Sequence, residues 1–283
     1  MGDLETDRVY RETTDAADVA VASSLGLVTV AVSGAQIGRF RLAHRDPLRD
    51  VTTVDGTVIG ATADDICRYG DGSAESLRFP SPTAVGRIED AILGGDSDGR
   101  VARTTDGEWR ELGTLPSAPA ALDGHLVATE AGVFRHNDGK YSSAGLEAVR
   151  DVADATVPYA ATAAGLYRLG NGWMRVADGT WSAVAVRESD SPWAGWVHAG
   201  GPDGLVSTDG SDVVRHPRPA DEPVVDVAAV PGDEPAIIAL TEPGTLAVGT
   251  PDYLDETTTD SPDALHWTTQ HLGVGEGRAL AIR

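Results

Sequence analysis

The sequence has 283 residues, of which 41% are hydrophobic and 5% aromatic, with 22 Lys and Arg against 44 Asp and Glu. That apolar content supports a real core and excludes wholesale disorder, and no apolar run approaches the ~18 residues that a membrane-spanning helix needs. A formal net charge of −22 without any basic stretch argues against binding nucleic acid through its phosphates.

The charge has an unusual make-up. Lys140 is the only Lys, so 21 of the 22 basic residues are Arg, and 30 of the 44 acids are Asp. An Asp-rich, Lys-poor surface suits molar salt, where the Debye length is about 3 Å and exposed carboxylates barely repel one another. The charge then keeps the protein soluble where salting-out is the danger. Acids are spread over every segment, which favours whole-surface solvation over a single docking site for a basic partner.

The elements follow in chain order. Met1 to Asp7 is acidic and has no apolar core, so it is no secretory signal, and a cytoplasmic location is expected. Gly2 with Thr6 fits the myristoylation pattern only formally, with two acids inside it. Arg8-Val9-Tyr10-Arg11-Glu12 reads as a strand. A repeated unit then begins. Its clearest copies are Ala61-Thr62-Ala63-Asp64-Asp65-Ile66-Cys67-Arg68, Ala128-Thr129-Glu130-Ala131-Gly132-Val133-Phe134-Arg135 and Ala161-Thr162-Ala163-Ala164-Gly165-Leu166-Tyr167-Arg168. Weaker copies start at Ala22, Gly95, Gly200 and Leu240. The turn residue falls at 26, 65, 99, 132, 165, 204 and 244, at intervals of 33 to 40 residues.

Each unit has one internal order. A β-branched run comes first, as in Val51-Thr52-Thr53-Val54 or Val224-Val225-Asp226-Val227. A turn follows, such as Asp55-Gly56, Asp123-Gly124 or Pro231-Gly232-Asp233. Then come a small apolar strand, the repeated turn, a third strand, a polar turn such as Asn137-Asp138-Gly139, and a last strand opened by an aromatic residue, as at Trp109. Asp-Gly and Asn-Gly supply the positive φ angles of tight hairpins. No stretch keeps a 3.6-residue period, so no long helix is expected. Four short antiparallel strands, seven times over, predict an all-β, seven-bladed β-propeller filling residues 1–283 as one domain. Ala61, Ala128, Ala160 and Ala161 suit close face-to-face packing of blades. Arg187 to Pro192 and the acidic Asp252 to Asp263 read as loops. The C-terminal Arg278-Ala279-Leu280-Ala281-Ile282-Arg283 resembles a first-strand run, and it is expected to pair into the first blade and close the ring.

Few motifs carry chemistry. The seven His show no metal-ligand spacing, and the single Cys67 excludes an internal disulfide and any Cys-based metal cluster. Gly94-Gly95-Asp96-Ser97-Asp98-Gly99 lacks both EF-hand and P-loop spacing and reads as a hairpin turn. No G-x-S-x-G is present. More interesting are the first-strand acids Asp50, Asp151 and Asp226, each preceding a Val. First strands line a propeller's channel. A carboxylate ring there can hold a cation or present acid groups to a ligand. Alternatively, each Asp accepts hydrogen bonds from a neighbouring blade or pairs with the adjacent Arg. Arg49 and Arg150, beside two of these acids, are candidates for an anion site at the channel mouth. Trp173, Trp181, Trp193 and Trp196 fall within 24 positions, and Trp193 and Trp196 flank a loop. Exposed Trp marks partner surfaces; the alternative is packing between the fifth and sixth blades.

Ala161 to Arg175, with Arg8-Val9-Tyr10, Ala22 to Val30 and Gly273 to Ile282, resembles an uncharacterised β-propeller family of halophilic archaea. The resemblance covers essentially the whole chain. It implies a cytoplasmic propeller without an assigned activity and carries over no catalytic residue. The Gly-hydrophobic-aromatic-Arg and Asp-Gly-x-Trp pieces are also similar to Asp-box propellers of the sialidase and photosystem-assembly type. The serine and the Asp-x-Gly-x-x-Trp spacing of those proteins are not met, so no sialidase activity is implied. The expected function is a scaffold or protein-interaction module. It would be a monomer with another protein as partner, without nucleic acid, membrane or cofactor. The alternative is a hydrolase or lyase with an acidic site at the channel mouth.

The charge make-up generates a first expectation. Below about 0.5 M salt, where screening weakens, the fold loosens and the far-ultraviolet circular dichroism spectrum changes. An unchanged spectrum in dilute buffer would exclude dependence on salt.

Overall fold

The computed structural model describes residues 16–70, 72–186, 195–230, 236–251 and 265–283. They form seven four-stranded antiparallel sheets. The first blade holds β1 (Ala16–Ser23), β2 (Gly26–Ser33) and β3 (Gln36–His44). The second holds β4 (Asp50–Val54), β5 (Thr57–Ala61), β6 (Ile66–Gly70) and β7 (Ser73–Ser76). The third holds β8 (Pro82–Ile88), β9 (Ala91–Asp96), β10 (Arg100–Thr105) and β11 (Glu108–Thr114). The fourth holds β12 (Pro119–Asp123), β13 (Leu126–Thr129), β14 (Gly132–Asn137) and β15 (Lys140–Gly145). The fifth holds β16 (Val149–Ala153), β17 (Tyr159–Thr162), β18 (Gly165–Leu169) and β19 (Trp173–Ala177). The sixth holds β20 (Ala183–Val186), β21 (Val197–Gly201), β22 (Gly204–Thr208) and β23 (Val213–His216). The seventh holds β24 (Val224–Val230), β25 (Ala236–Thr241), β26 (Thr245–Pro251) and β27 (Leu265–His271). The last strand, β28 (Gly277–Ile282), pairs antiparallel with β1 and is the innermost strand of the first blade. The innermost strands touch in sequence around the axis, with β24 against β28 and β28 against β4. The ring is therefore closed as expected. Helix is confined to a three-residue 3-10 turn at Pro219–Asp221 among the described residues.

The repeated turn falls between the second and third strands of every blade. In five blades a hydroxyl holds it. Thr162 Oγ1 donates to Gly165 O at 2.9 Å and accepts from the N–H groups of Ala164 and Gly165, and Ser23, Thr62, Thr129 and Thr241 each donate to a carbonyl in the matching turn. In the third blade Asp96 replaces the hydroxyl and accepts from the N–H groups of Asp98 and Arg100. The tight hairpins follow the chemistry read from sequence. Asp55-Gly56, Asp106-Gly107 and Asp138-Gly139 all have positive φ at both residues, as type I′ turns require. The expected strand at Arg8–Glu12, the Pro231–Asp233 turn and the loops at Arg187–Pro192 and Asp252–Asp263 lie outside the described residues.

Burial is organised by seam. Seven apolar clusters occupy the seven blade–blade interfaces. The seam between the seventh and first blades holds fifteen buried residues, from Ala17 to Leu280. The seam between the fourth and fifth holds six. Ala61, Ala128, Ala160 and Ala161 are fully buried, which is what lets blades approach closely. At Gly86 the approach is closest: a Cβ there would stand 2.0 Å from the Leu122 carbonyl oxygen of the next blade. Near the rim, aromatics from one blade cap the outer strand of the one before. Trp109 Nε1 donates to Leu77 O at 2.7 Å, and Trp173 Nε1 donates to Ala144 O at 2.9 Å.

Deleting residues 278–283 removes Leu280 from the largest seam and strips β1 of its partner. The expected result, in molar KCl, is a melting temperature lower by at least about 10 °C. An unchanged melting temperature would contradict closure by β28.

Candidate functional site

The axis of the ring encloses a cavity of about 510 Å³. Among the described residues five acids line it, Asp50, Asp123, Asp151, Asp154 and Asp226, with Arg87 as the one base. The three acids picked from sequence occupy equivalent places. Asp50 pairs across its sheet with Ala61, Asp151 with Ala161 and Asp226 with Leu240. The four other blades carry Ala279, Ala84, Ala121 and Ala183 there, paired with Ala22, Gly95, Ala128 and Gly200.

Each of the three carboxylates spans a seam. One oxygen of Asp50 accepts the N–H of Val51 at 2.8 Å and the other accepts the N–H of Val85 in the third blade at 2.8 Å. Asp151 accepts from Val152 at 2.8 Å and from Val184 in the sixth blade at 2.7 Å. Asp226 accepts from Val227 at 2.7 Å and from Leu280 in the first blade at 2.7 Å. The acceptor is needed because an innermost strand is a sheet edge, and its outward N–H has no strand partner. The remaining two acids join the fourth and fifth blades. Asp123 Oδ2 accepts the N–H of Asp154 at 2.8 Å, and Asp154 Oδ2 accepts the N–H of His125 at 2.7 Å. All five channel acids are thus engaged between blades.

Proximity and burial oppose ionisation there. Asp50 is pushed up from 3.8 to about 6 and Asp151 to about 7, chiefly by burial, with their two N–H donors pulling the other way. Asp226 is raised well above 3.8, first by burial and then by the charge of Asp151.

Of the arginines, Arg49 donates from Nη1 to Pro82 O at 2.9 Å, across the seam to the third blade. Arg278 does the same to Leu48 O at 3.1 Å, and Thr83 Oγ1 reaches Pro119 O at 2.8 Å. These three residues stand one place before the Asp or Ala position and tie each blade to the next. Arg150 stands at the same place in the fifth blade, but its side chain is exposed and bonds to no described residue.

The tryptophans do not form one surface. Trp173 packs at the seam of the fourth and fifth blades, Trp181 at that of the fifth and sixth, and Trp196 at that of the sixth and seventh. Trp196 is only 8% exposed, so it is wall material rather than the exposed binding residue expected. Its neighbour Trp193 lies outside the described residues. Cys67 is half-buried on β6, its thiol raised by burial first and by Asp65 and Asp46 next. One cluster escaped the sequence reading. His198, Ser207 and His216 are buried together in the sixth blade, with Ser207 Oγ 2.8 Å from His198 Nδ1 and 3.0 Å from His216 Nε2. Ser207 has one proton, so it donates to one imidazole and accepts from the other. Burial lowers His216 to about 4 and keeps it neutral. Among the described residues, no three His, Cys, Asp or Glu side chains are grouped to hold a metal ion, and no helix is long and apolar enough to cross a membrane.

Seven four-stranded blades around an acid-lined, hydrogen-bonded channel define a β-propeller. The chain belongs to the family described as Beta-prop_HVO_0234:-like, beta propeller, which matches residues 3–283. No curated protein matches the sequence. Among solved structures, it is similar to the extracellular domain of the hybrid two-component system BT4673 from B. thetaiotaomicron, with 14% identity and a TM-score of 0.62 over 83% of this chain. The chain spans 38% of that domain's length. It is similar to the WD40 propeller domain of Doa1, with 12% identity and a TM-score of 0.65, covering 82% of this chain and 88% of that one. A chain of the mitotic checkpoint complex matches at 12% identity and a TM-score of 0.65, covering 83% of this chain and 82% of that one. At these identities the likeness is one of fold.

The raised carboxylates carry a sign. A group whose folded pKa exceeds its unfolded value holds its proton more tightly when folded, so stability is lost as pH rises from about 4 towards 7. In molar KCl the melting temperature is expected to fall between pH 5 and pH 7.5, and Asp151→Asn to flatten that slope. An identical profile in the variant would remove Asp151 as a source of the slope.

Proposed function

We propose that this protein is a cytoplasmic, monomeric scaffold or protein-interaction module adapted to molar salt, with residues 1–283 acting as one propeller domain. The observation that supports this best is the engagement of the channel acids. Asp50, Asp151 and Asp226 each have both oxygens occupied, one by the N–H of the next residue and the other by an N–H of the next blade, so their role is to hold blades in register. Similar propellers include a domain of Doa1 and a chain of the mitotic checkpoint complex, which fits a role in assembly. Arg150, exposed on the innermost strand of the fifth blade and unengaged by any described residue, is the residue this reading assigns to the partner. The partner is another protein; a chain of net charge −22 has little attraction for nucleic acid or an anionic membrane.

A second reading has one observation in its favour. A carboxyl group with a pKa near 7, as at Asp151, is suited to general acid–base work in a hydrolase or lyase. Its two held oxygens weigh against it.

The test is affinity purification of the tagged protein from its native cells, in molar KCl throughout, followed by mass spectrometry and metal analysis. A stoichiometric protein that is lost with Arg150→Glu is the expected outcome. Co-purification of a small molecule or metal without a protein would overturn the scaffold reading in favour of the channel.

A further inference from the structure

The seam between the third and fourth blades is apolar near the axis and turns basic toward its outer strands. Val101 is buried in this seam, so Arg103 and Thr105, two and four places further along β10, point the same way. Phe134 packs into the seam from the other side, so His136 and its cross-strand partner Tyr141 face it too. Residues 72–186 are described without a gap, so the strands of both walls are complete.

Two like charges stand side by side there. Arg103 and Arg110 are directly opposite in the ladder of β10 and β11, a placement that destabilises a sheet. Neither side chain forms an ion pair or a hydrogen bond with a described residue. The strands β10, β11, β14 and β15 carry two carboxylates. Glu111 lies opposite Ala102, on the face toward the second blade. Glu108 lies opposite Thr105, exposed and paired with neither arginine.

Each wall also holds an unused polar atom. Thr105 Oγ1 on the third blade and His136 Nε2 on the fourth are both buried and without a hydrogen-bond partner. Such an atom costs stability, and a native structure keeps one only where something else offsets the cost. The His136 ring is fixed against Tyr141, with centroids 5.0 Å apart. Burial lowers its pKa first, and the charges of His125 and Arg103 lower it further, so Arg103 reaches across the seam. No carboxylate acts on His136 in the opposite sense. His125 is already engaged, with Nδ1 3.2 Å from Asp154 Oδ2.

We propose that this part of the seam binds a phosphate-bearing anion, with Arg103 and Arg110 on the phosphate oxygens and the Thr105 hydroxyl and His136 Nε2–H as further donors. The anion relieves the repulsion between the two arginines and gives partners to two buried atoms that the fold leaves without one. In molar KCl, chloride screens the arginines over a Debye length of about 3 Å. A halide takes no two-pronged bond from a guanidinium, whereas phosphate oxygens match that fork. A phosphate dianion therefore competes with chloride here. The proposal is independent of the scaffold reading, since Arg150 belongs to another blade.

The test is titration of the full-length protein with inorganic phosphate, and separately with glycerol phosphate, in molar KCl at pH 7.5, by calorimetry and by NMR of isotope-labelled histidine. One saturable site per chain is expected, at least about tenfold weaker in Arg110→Gln, a change at an exposed position. Glu108→Gln, which removes the nearby carboxylate, is expected to bind more tightly. The imidazole signal of His136 is expected to move in step with saturation. Tighter binding of glycerol phosphate would identify a monoester as the ligand, and tighter binding of inorganic phosphate the free ion. Absence of saturable binding, equal affinity in Arg110→Gln, weaker binding in Glu108→Gln or an unmoved His136 signal would each overturn the proposal.

Discussion

The structure depends on face-to-face burial between neighbouring sheets. A four-stranded sheet of this size has two apolar faces and cannot hide either one alone. Each face is covered only by the next blade, so the protein has seven cores rather than one. The arrangement works only as a circle. An open arc of blades would leave two faces wet, at about 25 cal/mol for every Å² of apolar surface. This explains why the seam that joins the end of the chain to its beginning holds the greatest number of buried residues, and why Leu280 sits in it.

A ring of sheets creates a second demand at its axis. Seven inner edges meet there, with N–H groups that no strand can satisfy. The solution at three seams is a carboxylate lent by the preceding blade, opposite Val85, Val184 and Leu280. Elsewhere the neighbouring side chain is Ala, too short to reach. One place earlier along the strand, Arg49, Arg278 and Thr83 bond to carbonyls of the following blade. On β4 the two stand side by side, Arg49 as donor and Asp50 as acceptor to the third blade. The acidic look of the channel is largely a by-product of this stitching.

Much of this was legible in one dimension because the repeat records local chemistry. The Thr of Ala-Thr-x-x-Gly is visible as a turn-former since its hydroxyl closes the turn within three residues, as Thr129 does on Gly132. Asp-Gly hairpins are legible for the same reason, and so was the first-strand character of Arg278 to Arg283. The Asp-Val pairs stand out in the sequence, which leaves an inter-blade bond open beside an Arg pair and a carboxylate ring for a cation or ligand. What stayed hidden depends on contacts between blades. Trp173, Trp181 and Trp196 are close in sequence but serve three different seams, because a four-stranded blade turns successive strands outward. His198 and Ser207 meet only through strand register, nine residues apart. The crevice between the first and second blades brings Arg41, Tyr69 and Arg283 together, and no local pattern announces it.

The closing strand also sets the order in which the molecule can be made. Ser24 bonds to Val274, 250 residues further along the chain. While a ribosome is still producing the later blades, β1 has its β2 neighbour but an open edge on the other side. Such an edge is a template for any extended peptide that passes, including a second nascent copy. Closing so long a loop is entropically slow rather than thermodynamically prohibitive, since the cost grows only with the logarithm of length. The hazard is therefore one of timing. Ala16–Ser23 is the segment that most needs shielding during synthesis, and a swapped dimer trading β28 between two rings is the characteristic way this architecture would go wrong.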